Sequence, residues 1–227
     1  MLREKAVFRI SILIAAAMSM LIASAGAGGT IIFTANLTNA QENPPTVPTL
    51  VGGAPRPASF GTATFFLNDA MTALTFTATI FNIDVTGTQT ADTNDNLVAA
   101  HIHASATVTP TTNAGVVWGF FGAPFNDNNP NDSVVSPFAT GVGGTFSGKW
   151  DAPEGNGTTL AAQLPNILSG HSYINFHTAQ FGGGEIRGAI LAVPEPSSLA
   201  LLGIAALAFF GFGNRHGSAR KAKRSLR

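Results

Sequence analysis

Ala73-Leu74-Thr75-Phe76-Thr77-Ala78-Thr79-Ile80-Phe81 alternates without a break. Leu74, Phe76, Ala78 and Ile80 fall on one face, and Thr75, Thr77 and Thr79 on the other. A period of two residues is that of an extended strand, and apolar-in, polar-out alternation marks an antiparallel strand with one face buried. Ser59 to Leu67 repeats the pattern just upstream, with Asn68-Asp69 as the turn between, so the two segments form a hairpin. Six more segments read as strands: Thr30–Leu37, Leu97–Ser105, Gly115–Phe121, Gly144–Asp151, His171–Thr178 and Glu185–Ala192.

The Asp- and Asn-rich stretches Asp92–Asn96 and Asn126–Asp132 read as loops. Leu160, Leu164, Ile167 and Leu168 have helical spacing within Thr159–Leu168, where Pro165 limits the length of a helix. No internal repeat and no second core appear, so residues 26–192 form one domain. The expected fold is all-β, an antiparallel Greek-key sandwich or barrel of about eight strands.

Charge is distributed unevenly. Nine of the twelve Lys and Arg lie at the two ends. Between Gly26 and Val193 only Arg56, Lys149 and Arg187 oppose ten acids, a formal charge of −7. An acidic body of this kind lacks the basic footprint of nucleic-acid binding. There is no cysteine, which excludes a disulfide-stapled mini-domain and thiolate metal sites.

The ends read as addresses. Arg3, Lys5 and Arg9 precede an apolar run from Ile10 to Ala23, and Ala23-Ser24-Ala25 offers small residues to a signal peptidase. Residues 1–25 are therefore expected to be a signal helix removed on export. At the other end Pro194-Glu195-Pro196 precedes a fourteen-residue apolar run, Leu199 to Phe212, and a basic terminus. As a helix that run spans about 21 Å at about 1.5 Å per residue, against a hydrocarbon core about 30 Å thick. It is expected to be a short transmembrane helix with its basic tail in the cytoplasm. Together these three parts, residues 193–227, resemble the PEP-CTERM sorting signal. That resemblance implies cutting near Pro194–Pro196 by an exosortase-type membrane protease, with passage from an inner-membrane-anchored precursor to the cell surface or extracellular matrix.

The body carries five short elements in order: Asn39-Ala40-Gln41-Glu42-Asn43-Pro44-Pro45, Gly61-Thr62-Ala63-Thr64-Phe65, Ala100-His101-Ile102-His103, Tyr173-Ile174-Asn175-Phe176-His177-Thr178 and Gly183-Gly184-Glu185-Ile186-Arg187-Gly188. In this series the chain resembles the chordin-type (CHRD) domain, with residues 104–143 longer and richer in Asn than that family's usual linker. The resemblance implies a fold and no agreed activity.

His101 and His103 stand two apart on a strand and share a face, as do Tyr173, Asn175 and His177 on another. If both strands present the same side, three imidazoles converge, and neutral imidazoles suit copper or zinc. Arg187 and Glu185, also two apart, read as an anion-binding or salt-bridge pair. A His-x-His strand, a later His and a Gly-rich turn leading to an Arg strand are similar in pattern to copper-zinc superoxide dismutases. That likeness implies His101, His103 and His177 as copper ligands and Arg187 as an anion guide. The bland alternative is that the histidines are hydrogen-bonded core residues.

Weaker signals complete the reading. Asp92, Asp95, Asp127 and Asp132 lie in loops without the spacing of a known calcium loop. Trp118, Phe121 and Tyr173 are candidates for an aromatic platform that would bind exopolysaccharide. No serine nucleophile elbow, phosphate loop or catalytic carboxylate pair stands out. The expectation is a non-enzymatic surface protein with a structural or binding role, meeting exopolysaccharide or other surface proteins. A copper- or zinc-binding protein of the dismutase kind is the alternative.

Overall fold

The computed structural model describes residues 30–193. The signal peptide (Ala23, Ser24, Ala25), the sorting motif (Pro194, Glu195, Pro196) and the apolar run 199–212 lie outside the described residues. Among the described residues no helix is long and apolar enough to cross a membrane.

Ten strands form: β1 Ile31–Thr38, β2 Phe60–Leu67, β3 Ala73–Phe81, β4 Leu97–Ala104, β5 Val116–Gly122, β6 Val134–Pro137, β7 Gly143–Asp151, β8 Ser172–Thr178, β9 Ile186–Ala189 and β10 Leu191–Ala192. The expected count of about eight is short by two. The short strand β6 pairs with β7 and is not among the strands expected from the sequence. The final expected strand breaks at Ile190, whose side chain is fully buried and whose N–H donates to Ser172. One helix, α1 (Leu160–Leu168), follows β7. Thr159 caps it by accepting from the N–H of Ala162 at 3.3 Å, and it buries Leu160 and Ile167.

All pairings between these strands are antiparallel, and one hydrogen-bonded path runs β5-β4-β8-β9-β1-β2-β3-β7-β6, with β10 alongside β1. The sheet is continuous, but its two ends meet through side chains. Trp118 of β5 stacks on Trp150 of β7 with ring centroids 5.7 Å apart and planes 6° apart. Phe120 of β5 lies 4.6 Å from Phe76 of β3 and 6.2 Å from Phe146 of β7. The sheet therefore curls about one apolar core, and its halves pack on each other as the layers of a sandwich do.

The alternation read in the sequence explains this core. Leu74, Phe76, Ala78 and Ile80 point in, as do Phe33, Ala35 and Leu37 of β1 and Ala63, Phe65 and Leu67 of β2, all buried. Strands β4 and β8 depart from the pattern because both their faces are buried. Ala100, Ile102, Ile174 and Phe176 join the core. The opposite face of the same two strands carries His101, His103, Tyr173, Asn175 and His177, also buried.

Candidate metal centre

Strand pairing sets the geometry. In the β4–β8 register His101 opposes Asn175, His103 opposes Tyr173 and Ala99 opposes His177. His101, His103, Asn175, Tyr173 and His177 thus lie on one patch of one face. The β4–β5 pairing shifts register between Ala100 and His101 and again between Ile102 and His103, and such bulges re-aim side chains. Gly119 of β5 faces His101. A Cβ there would stand 2.9 Å from the imidazole Cδ2 and 1.9 Å from the Pro124 carbonyl oxygen, so only glycine leaves room for ring and loop together.

The three sequence-derived ligands do converge. His101, His103 and His177 each offer one ring nitrogen, and the three atoms lie within 4.8 Å of one another. Each opposite ring nitrogen meets a main-chain carbonyl: His101 Nε2 to Ala123 at 3.1 Å, His103 Nδ1 to Ala114 at 2.9 Å and His177 Nδ1 to Gly182 at 3.0 Å. A carbonyl only accepts, so each of these nitrogens carries the hydrogen. In neutral rings that leaves His101 Nδ1, His103 Nε2 and His177 Nε2 as bare lone pairs. His101 Nδ1 faces His177 Nε2 at 3.1 Å, and His103 Nε2 is buried without a partner.

The rings resist protonation. Burial, reinforced by the neighbouring imidazoles, pushes His101 down to about 4. Burial likewise pushes His103 down to about 4 and lowers His177. Tyr173 stacks flat on His103 at 4.7 Å, with planes 2° apart, and its hydroxyl accepts from the Ala114 N–H.

Arg187 and Glu185 lie nearby but do not pair. Glu185 falls in the bend before β9, and its carboxylate, fully buried, binds Arg56 at 2.5 Å, Thr178 at 2.6 Å and the Ser59 hydroxyl. Arg187 donates to the main-chain oxygens of Gln41, Thr112 and Pro110 and to Asn113 Oδ1. It pins two loops to the sheet and spends four of its five N–H donors doing so. Both were read together because of their spacing in sequence; Arg56, 129 positions from Glu185, gave no local signal.

The aromatic platform is also absent at its expected residues. Trp118 and Tyr173 are buried, and Phe121 packs edge-on against Phe146 at 6.0 Å. The calcium reading gains no cluster: among the described residues the only group of three or more potential ligands is the His trio. The sequence reading did miss Glu42. Its carboxyl is buried, its Oε1 has no partner, and burial pushes it up to about 7 against the pull of Arg187.

Fold and patch together define a β-domain with a buried tri-imidazole cluster on the outer face of its sheet. The model of the CHRD domain matches residues 33–190, and the chain belongs to that family. The PEP-CTERM protein-sorting motif matches residues 192–215, which marks the protein as exported, surface-sorted and an exosortase substrate. No curated protein and no solved structure matches the chain.

Proposed function

We propose that this protein is an exported metal-binding protein of the cell surface or extracellular matrix, holding one copper or zinc ion on His101 Nδ1, His103 Nε2 and His177 Nε2. One observation carries the reading: three main-chain carbonyls fix three tautomers, and one ring nitrogen of each histidine lies within 4.8 Å of the other two. Ring nitrogens bonded to one tetrahedral ion at about 2.0–2.1 Å stand about 3.3 Å apart. The His101–His177 separation of 3.1 Å is close to that before any ion binds. Carbonyls that orient ligand imidazoles are the usual second layer of a metal site.

The role is one of binding or structure in the envelope or matrix, with the metal as part of the folded state. The redox alternative draws on the same three histidines, but Arg187 commits four of its five N–H donors to loop oxygens. On the export side, signal peptidase acts near Ala23–Ala25. The run 199–212 holds an inner-membrane precursor, and an exosortase cuts near Pro194–Pro196. The Greek-key reading of the fold draws support from the spatial order β9-β1-β2-β3, a late strand returning beside the first of three in sequence.

The test is the metal content of the exported protein, purified without a His tag, against a His101→Ala, His103→Ala double variant. Stoichiometric copper or zinc in the wild type, lost in the variant, is the expected result. Metal-free protein from both, each folded, rejects the reading.

A further inference from the structure

Two more buried acceptors near the imidazoles lack partners. Asn175 is 2% exposed and Glu42 6% exposed, and neither Asn175 Oδ1 nor Glu42 Oε1 has a hydrogen bond. They converge on one spot. A Cβ built on Gly184 would lie 2.4 Å from Asn175 Nδ2, 2.6 Å from Asn175 Oδ1 and 2.7 Å from Glu42 Oε1. Gly184 has φ +125, a conformation that also favours glycine, so this residue keeps the spot clear. Asn175 stands between Tyr173 and His177 on β8 and opposite His101. Glu42 and Gly182–Gly184 line a cleft of about 480 Å³, and the Gly182 carbonyl is the one that orients His177.

Three imidazoles leave one position of a tetrahedral ion open, as in metal sites that carry an exchangeable ligand. The orphaned atoms on this side of the sheet, His103 Nε2, Asn175 Oδ1 and Glu42 Oε1, are all acceptors when Glu42 is ionised. What fits is a ligand that binds metal through oxygen and supplies hydrogens. We infer that Glu42 and Asn175 form a subsite beside the tri-imidazole centre for a protic oxygen ligand of the metal, water or a small alcohol or peroxide, whose hydrogens they accept. Water matches the count, with two hydrogens for two acceptors. The inference rests on the metal reading above. Its rival is a closed pair, in which a protonated Glu42 donates to Asn175 Oδ1 and no ligand is held.

The test uses the protein loaded with one equivalent of copper(II), with bound copper counted first and azide as the probe. Azide replaces the protic ligand and reports its arrival as a saturable charge-transfer band. Wild type is expected to bind one azide. Glu42→Leu and Asn175→Leu each remove an acceptor that holds the protic ligand, so azide should bind about tenfold more tightly in each. Exchangeable protons close to copper, seen by electron–nuclear resonance in H₂O and lost in D₂O, are expected in wild type and diminished in both variants. Bound copper with no azide band and no exchangeable protons, or with azide affinity unchanged in both variants, overturns the subsite alone. Failure to bind copper overturns the metal reading and the subsite together.

Discussion

His101 Nδ1 and His177 Nε2 face each other at 3.1 Å while the carbonyls of Ala123 and Gly182 hold the hydrogens on the far side of each ring. Two lone pairs at that distance repel. A cation between them turns the repulsion into two bonds, so metal should stabilise the fold strongly. At free metal one hundredfold above its Kd the gain is about 2.7 kcal/mol. For a domain of this size that raises Tm by roughly 5–10 °C. Calorimetry with and without a chelator checks it; a chelator-insensitive Tm in metal-loaded protein rejects the coupling.

The metal-free protein should weaken in acid. His101 and His103 titrate near 4 when folded and near 6.5 when unfolded. Between those values the unfolded chain takes up protons that the folded chain refuses, so stability is full above about 6.5 and falls as pH drops toward 4. Glu42 acts in the opposite sense. Its folded value is raised from 4.5 to about 7, so its contribution is full below 4.5 and is lost as pH rises through 7. Glu42→Gln should therefore stabilise the metal-free protein at pH 8, by roughly 1–3 kcal/mol, and change little at pH 4. Urea unfolding at the two pH values measures the difference.

Glu185 ties the segment after Pro55 to the last hairpin through Arg56, Ser59 and Thr178. Replacing it with Ala strands the Arg56 guanidinium, whose side chain is 3% exposed. Removing one partner of a buried ion pair costs about 3–5 kcal/mol. Glu185→Ala should lose that much in urea unfolding, and Arg56→Met, Glu185→Met together should lose less than the single change. A loss equal to the sum of the two single changes would show that the two residues act independently.

Arg187 acts on the imidazoles through a loop. Its guanidinium holds Pro110, Thr112 and Asn113, and at the next residue the Ala114 carbonyl orients His103. Arg187→Met should free that loop and weaken metal binding by about 10–100-fold, the usual effect of losing an outer-layer partner. Arg187→Lys should not restore it, because an ammonium cannot reach four separated oxygens. Hydrogen exchange at residues 108–114 adds a readout that a general loss of stability would not localise. Unchanged exchange there together with weakened metal binding would place the effect elsewhere.

Legibility in the sequence followed the range of the interactions. Strand β3 was readable to its last residue because each of its side chains reports its own face. The His-x-His spacing was readable for the same reason, and so was the shared face of Asn175 and His177. Strand β6 was not: four residues, none fully buried, ending in Pro137 and flanked by an Asn-rich loop, carry no alternation to detect. The break at Ile190 was hidden because burial of one side chain ends the β9 ladder. The partners of Glu185 and Arg187 were invisible because contacts across 129 and 146 positions leave no local trace. Glu42 was quoted as part of a motif, but its burial comes from loops that close over it only in three dimensions.

Sorting is testable apart from the metal. The matched motif begins at residue 192, which is also the last residue paired in the sheet, opposite Phe33. A protease acting near Pro194–Pro196 would cut C-terminal to that last pair. Glu195→Ala should leave the domain folded and metal-competent, yet hold a precursor in the membrane fraction at full length less its signal peptide. Fractionation and mass spectrometry of a tagged copy distinguish this from wild type, for which removal of the tail and release of the domain are expected. A wild-type copy found in the cytoplasm with both ends uncut would falsify the export route altogether. A Glu195→Ala copy processed at the wild-type rate would remove the Pro-Glu-Pro motif from it.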